Sequence, residues 1–320
     1  MGLCSWVWMS YQTALTEPVV KTKTLIKIEK GDSINKLIDK LQEQQIPIDS
    51  MWFKFMAYQQ NASNKLKVGE YELKSGSTAL QILALFVSGK THQYSVTFPE
   101  GWNFKQILQK LNANPDLKHT LEGMDNQAIM AKLNADKKHP EGLFFPDTYF
   151  FAKNATDFSV LKKAYDKMQS VLAEEWQHRE PNLPLQNPYQ ALILASIVEK
   201  ETAAPAERPL IAGVFVQRLK MGMLLQTDPT VIYGMGDSYQ GNIRSQDLRT
   251  ATPYNTYVIK GLPPTPIAMP GKEAIRATLH PGKTNNLYFV ARGSHGAHVF
   301  SATLKAHNEA VNQFQRHIKP

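Results

Sequence analysis

One pattern of apolar and polar residues occurs three times in the first third of the chain. Each copy begins with a short alternating stretch typical of a strand, passes through a glycine and ends in apolar residues at helical spacing. Two residues after each glycine lies a side chain that can cap a helix, namely Ser33, Thr78 and Asn103. The pattern predicts three strand–turn–helix units with buried positions at Leu37, Ile38 and Leu41, at Ile82, Leu83 and Phe86, and at Ile107, Leu108 and Leu111.

A further helix is predicted at residues 51–58, between the first two units. Residues 24–92 are therefore predicted to form a small α+β module. The Gly31-Asp32-Ser33 turn after the first strand resembles the turn that opens the first helix of a LysM peptidoglycan-binding module. The resemblance implies that the module binds glycan, and the alternative is that this turn only begins a helix.

The pattern after residue 150 predicts mainly helices with one hairpin. A helix over residues 155–180 presents Leu161, Ala164, Met168 and Val171 on one side, and an amphipathic helix over residues 207–221 ends at Gly222. Residues 225–236, which contain Pro229, are predicted to form a fixed loop. Residues 287–291 and 297–300 are predicted to pair as a hairpin, and a closing helix is predicted over residues 304–317.

One predicted helix is apolar on nearly all sides and ends in carboxylates. It begins at Asn187-Pro188, a capping side chain followed by proline at the first helical position. At 100° per residue, Glu201 continues an apolar stripe, whereas Glu199 points to the opposite side. A carboxyl group at the end of an apolar stripe loses hydration, which raises its pKa and favours a general acid. The alternative for Glu201 is a solvated or salt-bridged group.

The first nine residues are apolar and contain two tryptophans, Trp6 and Trp8. This stretch is too short to span a bilayer and lacks the basic start of a signal peptide. Two interpretations stay open, the outer end of a membrane helix and a frayed terminus. Residues 13–23, which include Pro18, are predicted to be a polar linker. Residues 1–23 are thus interpreted as a membrane-proximal stub and linker.

Composition removes several classes of function. With Lys+Arg 36 against Asp+Glu 28, the chain of 320 residues carries a net charge of +8, but its basic residues are dispersed, which disfavours a nucleic-acid partner. A single cysteine, Cys4, excludes an internal disulfide framework and cysteine-rich metal sites. Nucleotide-binding and His-Glu-x-x-His signatures are absent, and His295 and His298 are interpreted as hairpin residues. No cofactor or metal is expected.

Five longer motifs occur in one order, and together they resemble the YceG-like family of endolytic murein transglycosylases over nearly all of residues 24–320. Two small departures are Thr265, where the family usually has glycine, and Ala306, where an acidic residue is common. The motifs are Gly142-Leu143-Phe144-Phe145-Pro146-Asp147-Thr148-Tyr149, Ala195-Ser196-Ile197-Val198-Glu199-Lys200-Glu201-Thr202, Gln226-Thr227-Asp228-Pro229-Thr230-Val231-Ile232-Tyr233-Gly234, Tyr254-Asn255-Thr256-Tyr257 and Gly261-Leu262-Pro263-Pro264.

This resemblance implies an α+β chain with a small LysM-like module at 24–92 and a larger mixed α/β catalytic domain at 93–320, built on a central buried helix. It implies cleavage of the β-1,4 bond between N-acetylmuramic acid and N-acetylglucosamine within glycan strands, leaving 1,6-anhydro ends and ending strand elongation. Glu201 is the implied catalytic acid, and the substrate-binding candidates are Gln226, Asp228, Tyr254, Asn255 and Tyr257.

The resemblance also implies a place in the cell. The family consists of single-pass inner-membrane proteins with a periplasmic catalytic region, so a truncated N-terminal anchor is the favoured interpretation of the tryptophan-bearing stub. Peptidoglycan strands are the expected partner, with peptidoglycan synthases beside them. The alternative function is that of a non-catalytic peptidoglycan-binding or scaffold protein.

Overall fold

The computed structural model describes residues 2–62, 64–137, 139–202, 204–292 and 297–316. In these described ranges, the chain is a mixed α/β protein of many helices and three two-stranded sheets. It divides into two compact units, the first made of Met1–Ser95 with Phe150–Ala155 and the second of Val96–Tyr149 with Thr156–Pro320.

The first unit pairs a small antiparallel sheet with helices. Strand β1 (Thr24–Ile28) pairs with β2 (Gly69–Leu73) so that Ile26 lies opposite Tyr71, and the inward side chains of both strands are buried. Tyr71 packs edge-on against Phe86 of the last helix. The elements are α1 (Gly2–Thr16), β1 (Thr24–Ile28), α2 (Ile34–Glu43), α3 (Ser50–Gln59), β2 (Gly69–Leu73) and α4 (Ala79–Ser88).

The three predicted helix caps are confirmed. Ser33, Thr78 and Asn103 each accept a hydrogen bond from the backbone N–H three residues later, and the last two form complete capping boxes with Gln81 and Gln106. The predicted apolar faces of the three helices are buried as well, except that Leu108 is half-buried. Local hydrogen bonding and hydrophobic spacing therefore determine these helices together.

Helix α1 extends to Thr16, into the segment predicted to be a linker from residue 13. The helix continues because Tyr11, Ala14 and Leu15 pack against the core of the first unit, and it ends before Pro18. Trp6, Trp8 and Met9 remain exposed. Among the described residues, no helix has both the length and the apolar character needed to cross a membrane.

The second unit consists mainly of helices and contains the carboxyl group singled out from the sequence. The elements from residue 94 onwards are β3 (Tyr94–Thr97), α5 (Phe104–Asn112), α6 (Asn126–Lys132), β4 (Thr148–Phe151), α7 (Asp157–Gln177), α8 (Pro188–Glu201), α9 (Arg208–Lys220), α10 (Asp228–Met235), α11 (Lys272–Leu279), β5 (Tyr288–Ala291), β6 (His298–Ser301) and α12 (Leu304–Val311). Strand β3 pairs with β4, and β5 pairs with β6.

Helix α8 is the central helix of this unit, as predicted. Asn187 caps it by accepting from the backbone N–H of Gln190, and Pro188 occupies its first turn. Every residue from Ala191 to Val198 is buried, because α7, α9, α10 and α11 all pack around the helix. The apolar core thereby fixes where the C-terminal end of α8, with its carboxylates, lies.

The prediction of a fixed loop over residues 225–236 is wrong, because Asp228–Met235 form helix α10. Pro229 lies in the first turn, where the N–H that proline lacks would have no intrahelical partner, so it favours this helix instead of preventing it. The predicted hairpin is confirmed as β5 and β6. Its turn, with His295, lies outside the described residues. The closing helix α12 continues as a π-helical turn through Asn312–Arg316.

Candidate active site

Glu201 is the last residue of α8 and lines a cavity of about 550 Å³. The walls come from the end of α9, the segment before α10, the β5–β6 hairpin and α12. Besides Glu201, they include Arg218, Gln226, Asp228, Tyr257, Tyr288, His298 and His307. Two carboxyl groups, those of Glu201 and Asp228, thus face a cavity with polar and aromatic walls.

A chain of threonine hydroxyls fixes the Glu201 carboxyl group. The Thr230 hydroxyl donates to the backbone carbonyl of Thr227 at 2.7 Å, so the Thr256 hydroxyl is the donor in its 2.8 Å contact with Thr230 Oγ1. Thr227 is thereby held in place, and its hydroxyl donates to Oε1 of Glu201. Among the described residues, the Glu201 carboxyl group has no other hydrogen-bond partner, so its second oxygen is available to carry a proton.

The environment keeps Glu201 poised between its two protonation states. Burial is the largest influence and raises the pKa of Glu201 to about 7. The hydrogen bond from Thr227 and the charges of His298 and Arg218 act in the opposite direction, whereas Asp228 supports the rise. At neutral pH a substantial fraction of Glu201 is therefore protonated, as a general acid requires.

Arg218 braces the wall beside Glu201. Its guanidinium group donates to the carbonyl of Leu287 at 2.6 Å, of Leu225 at 2.8 Å and of Leu224 at 3.1 Å, and it lies over the ring of Tyr288. These contacts join α9 to the segment before α10 and to the hairpin. Arg218 therefore sets the cavity's shape and contributes a positive charge near the acid.

His298 is a cavity residue that the sequence interpretation missed. Glu207 accepts from its backbone N–H at 2.8 Å through Oε1 and contacts its Nδ1 at 2.7 Å through Oε2. With Nδ1 fixed by Glu207, the other ring nitrogen remains for contacts in the cavity. The two residues are 91 positions apart, so no local sequence pattern could have revealed the pair.

The five predicted substrate-binding residues separate into two groups. Gln226, Asp228 and Tyr257 line the Glu201 cavity, and the Tyr257 hydroxyl donates to Asp228 Oδ1 at 2.7 Å. Tyr254 lines a different cavity. Asn255 is 1 % exposed, and its amide donates to three backbone carbonyls of residues 247–250. Asn255 therefore braces a loop beside the site.

Glu199 has a structural environment of its own. Its carboxylate pairs with Arg208 Nη2 at 3.2 Å and accepts from the Gly271 N–H at 3.0 Å. Burial raises the pKa of Glu199, and these two partners oppose the rise. Glu199 thus ties α8 to α9 and to the start of α11 instead of facing the Glu201 cavity.

Within the parts of the chain that the structure describes, no group of three or more His, Cys, Asp or Glu side chains could hold a metal ion. The chemistry that these residues offer is proton transfer by one carboxyl group, supported by hydroxyl, guanidinium and imidazole groups.

Comparison with known proteins places this arrangement in a family. The model of the YceG-like family matches residues 26–313. The chain belongs to the YceG-like family. A YceG-like protein from Listeria monocytogenes with a known crystal structure has 31% sequence identity and a TM-score of 0.58, over 91% of this chain and 99% of that one.

Two curated relatives of this YceG-like chain are named endolytic murein transglycosylase. The protein from Bacillus subtilis (strain 168) is 32% identical, over 95% of this chain and 89% of its own length. The protein from Streptococcus pneumoniae serotype 2 is 28% identical, over 91% of this chain and 58% of its own length. The match extends across both compact units of this YceG-like chain.

Proposed function

We propose that the chain is an endolytic lytic transglycosylase, which cleaves the β-1,4 bond between N-acetylmuramic acid and N-acetylglucosamine inside peptidoglycan strands. The observation that carries the proposal is the Glu201 carboxyl group, with its pKa raised to about 7 by burial in a polar cavity. The names of the Bacillus and Streptococcus relatives support the same reaction.

Glu201 acts twice in this reaction. Its free oxygen gives a proton to the glycosidic oxygen as the bond to the muramic C1 breaks, and the N-acetylglucosamine end leaves as an alcohol. The muramic C6 hydroxyl then bonds to C1 and gives its proton to the Glu201 carboxylate, which restores the acid. No water enters, so a second carboxylate is not needed, unlike in ordinary glycosidases.

The product is the direct test of this function. Purified glycan strands incubated with the protein are expected to yield fragments ending in 1,6-anhydromuramic acid, because the C6 hydroxyl replaces water as the nucleophile. Mass spectrometry separates these fragments from hydrolysis products, which are heavier by one water. Reducing muramic acid ends as the main product would contradict the proposal and require a base, for which Asp228, the other carboxylate in the cavity lining, is the candidate.

The pH profile follows from the same carboxyl group. Because Glu201 must be protonated to act as the acid and its pKa is about 7, kcat/KM is expected to fall tenfold per pH unit above about pH 7. Asp228 raises the pKa of Glu201, so Asp228→Asn is expected to move this decline to lower pH.

The matched control for Asp228→Asn is Asp166→Asn, which removes an exposed carboxylate on α7 that pairs with Lys162. This variant is expected to leave the position of the decline unchanged. The pH at which kcat/KM declines is measured from initial rates on soluble strands between pH 5 and 9. A decline that stays in place in Asp228→Asn would show that Asp228 does not act on Glu201.

We also propose that His298 contacts the substrate and that Glu207 acts through His298. His298→Ala and Glu207→Ala are each expected to lower kcat/KM by about tenfold or more, in line with losses from removing an orienting partner. Since Glu207 works through the imidazole, its loss is expected to have little further effect in the His298→Ala protein. If the two losses in kcat/KM add in the double variant and the melting temperatures are unchanged, Glu207 does not act through His298.

Residues 24–92, which lie within the first unit, are the proposed LysM-like glycan-binding module. Its Gly31-Asp32-Ser33 turn is held by Asp32, whose carboxylate accepts from the Glu29 N–H at 2.8 Å and pairs with Lys36 and Lys40. The largest effect on Asp32 is burial, which these hydrogen bonds and charges outweigh, so the pKa of this carboxyl lies well below its usual range. A turn fixed in this way supports a role in binding.

Further proposals concern the place of the reaction. We propose that cleavage ends the elongation of newly made strands, with peptidoglycan synthases as partners, at the periplasmic face of the inner membrane. The exposed Trp6, Trp8 and Met9 of α1 support membrane association through an N-terminal anchor, because tryptophan side chains favour the membrane–water interface.

A further inference from the structure

A second cavity of about 880 Å³ lies in the second unit, and Tyr254 is one of its lining residues. At two points in the chain, adjacent residues line different cavities. Lys200 lines the second cavity and Glu201 the first, while Pro229 lines the second and Asp228 the first. The C-terminal end of α8 and the N-terminal end of α10 therefore form a border that the Glu201 cavity and the second cavity share.

Side-chain amides dominate one wall of the second cavity. Asn103 caps α5, and Gln106, Gln109 and Asn112 follow along this helix. Asn126 of α6 also lines this cavity. Within the described part of the chain, the amides of Gln109, Asn112 and Asn126 have no hydrogen-bond partner. An amide both donates and accepts, which suits the hydroxyl and acetamido groups of N-acetylated sugars.

Two fixed tyrosine rings form another part of the lining. Glu141 is buried and accepts from the Tyr233 hydroxyl at 3.0 Å and from the Phe104 N–H at 3.0 Å. Thr265 donates to the Pro266 carbonyl, so the Tyr254 hydroxyl is the donor in its 2.8 Å contact with Thr265. The rings pack edge-on at 4.8 Å. Aromatic surfaces held in place in this way suit the apolar faces of sugar rings.

We propose that this second cavity binds the glycan strand beyond the bond that Glu201 breaks, as a run of β-1,4-linked N-acetylated hexosamines. The inference rests on the proposed function and extends it, because a protein that cuts inside a strand must hold sugars at a distance from the cut. Stem peptides carry carboxylates. Of the two lysines in the lining, Lys105 is already paired with Asp237, and Lys200 donates to the Gly101 carbonyl at 3.4 Å.

The first test measures binding without cleavage. The Glu201→Gln protein serves as the parent, because it isolates binding from cleavage. In this parent, the pair Gln109→Ala and Asn112→Ala is expected to weaken binding of peptide-free chitohexaose about tenfold. The reason is the loss of hydrogen bonds at an accessible site. The control pair Gln169→Ala and Gln177→Ala removes two exposed amides from α7 that line neither cavity. It is expected to leave the Kd unchanged.

The tyrosine platform gives an independent measurement in the same Glu201→Gln protein. Tyr254→Ala is expected to weaken chitohexaose binding about tenfold, whereas Tyr254→Phe keeps the ring and is expected to stay within about twofold of the parent. If the Phe and Ala variants bind alike, the ring does not contact sugar and the proposed platform is wrong.

Cleavage by the wild-type protein distinguishes the two proposals. If it cleaves strands but the Gln109/Asn112 and Gln169/Gln177 pairs bind chitohexaose equally, the inference is overturned while the proposed function stands. If it cleaves no strand, the proposed function fails, and the binding data still decide whether the second cavity takes glycan. If the Gln109/Asn112 pair binds chitohexaose normally but binds peptide-bearing strands more weakly, the cavity is a peptide site and the inference is overturned.

Discussion

Glu201→Gln is expected to abolish strand cleavage while leaving the fold intact. The amide cannot give a proton to the leaving oxygen, so the rate is expected to fall at least 10²- to 10⁴-fold, the usual contribution of general acid catalysis. Because the pKa of Glu201 is higher in the folded chain, its ionisation disfavours folding as the pH rises from about 4.5 to about 7. Removing the charge is therefore expected to leave the melting temperature at pH 8 unchanged or higher.

The matched control is Glu199→Gln, two residues away on the same helix. Its carboxylate holds Arg208 and the Gly271 N–H, so the loss of charge is expected to cost about 1–3 kcal/mol of stability. Most of the activity per folded molecule is expected to remain. Product assays paired with thermal denaturation measure both effects. An active Glu201 variant beside an inactive but folded Glu199 variant would show that the acid is wrongly assigned.

Arg218→Leu is expected to cause the largest loss of stability of any cavity variant. The guanidinium group satisfies the backbone carbonyls of Leu224, Leu225 and Leu287, and Arg218 is 7 % exposed. Leaving these acceptors unpaired is expected to cost about 3–5 kcal/mol in total. Arg218→Lys is expected to recover part of this loss, because a single ammonium group cannot reproduce the fork of donors.

Urea denaturation measures the free energy of unfolding of Arg218→Leu, and Arg276→Leu is the control. Arg276 is exposed on α11, and its replacement is expected to change the free energy of unfolding by less than about 0.5 kcal/mol. Equal stabilities for Arg218→Leu and the wild-type protein would mean that the hairpin and the segment before α10 hold together without this side chain.

The sequence predicted best what depends on neighbouring residues. A glycine, a capping side chain and apolar residues at helical spacing lie within one short segment, so the helices after Ser33, Thr78 and Asn103 were predictable. The position of Glu201 followed equally from a local pattern, the apolar stripe of α8. Helix α10 was missed because Pro229 was interpreted as holding a loop, although the same residue also suits a first helical turn.

Contacts between segments far apart in sequence cannot be predicted from local sequence patterns. Glu207 and His298 meet because β6 runs past the turn before α9, and nothing local to either residue indicates it. Tyr254 and Tyr257 lie three residues apart in one motif, yet they line different cavities. Which cavity each tyrosine lines is a property of the tertiary structure.

The raised pKa of Glu201 also has a consequence for inhibitor design. On the proposed mechanism, turnover needs the neutral Glu201 carboxyl group and so is favoured below about pH 7. A cationic mimic of the transition-state sugar ring is attracted most strongly by the ionised carboxylate. Such an inhibitor would bind more tightly as the pH rises towards 8, while the enzyme itself slows. Measurements at the pH of fastest turnover would therefore underestimate the affinity of cationic inhibitors. The affinity of neutral sugar analogues would not be underestimated.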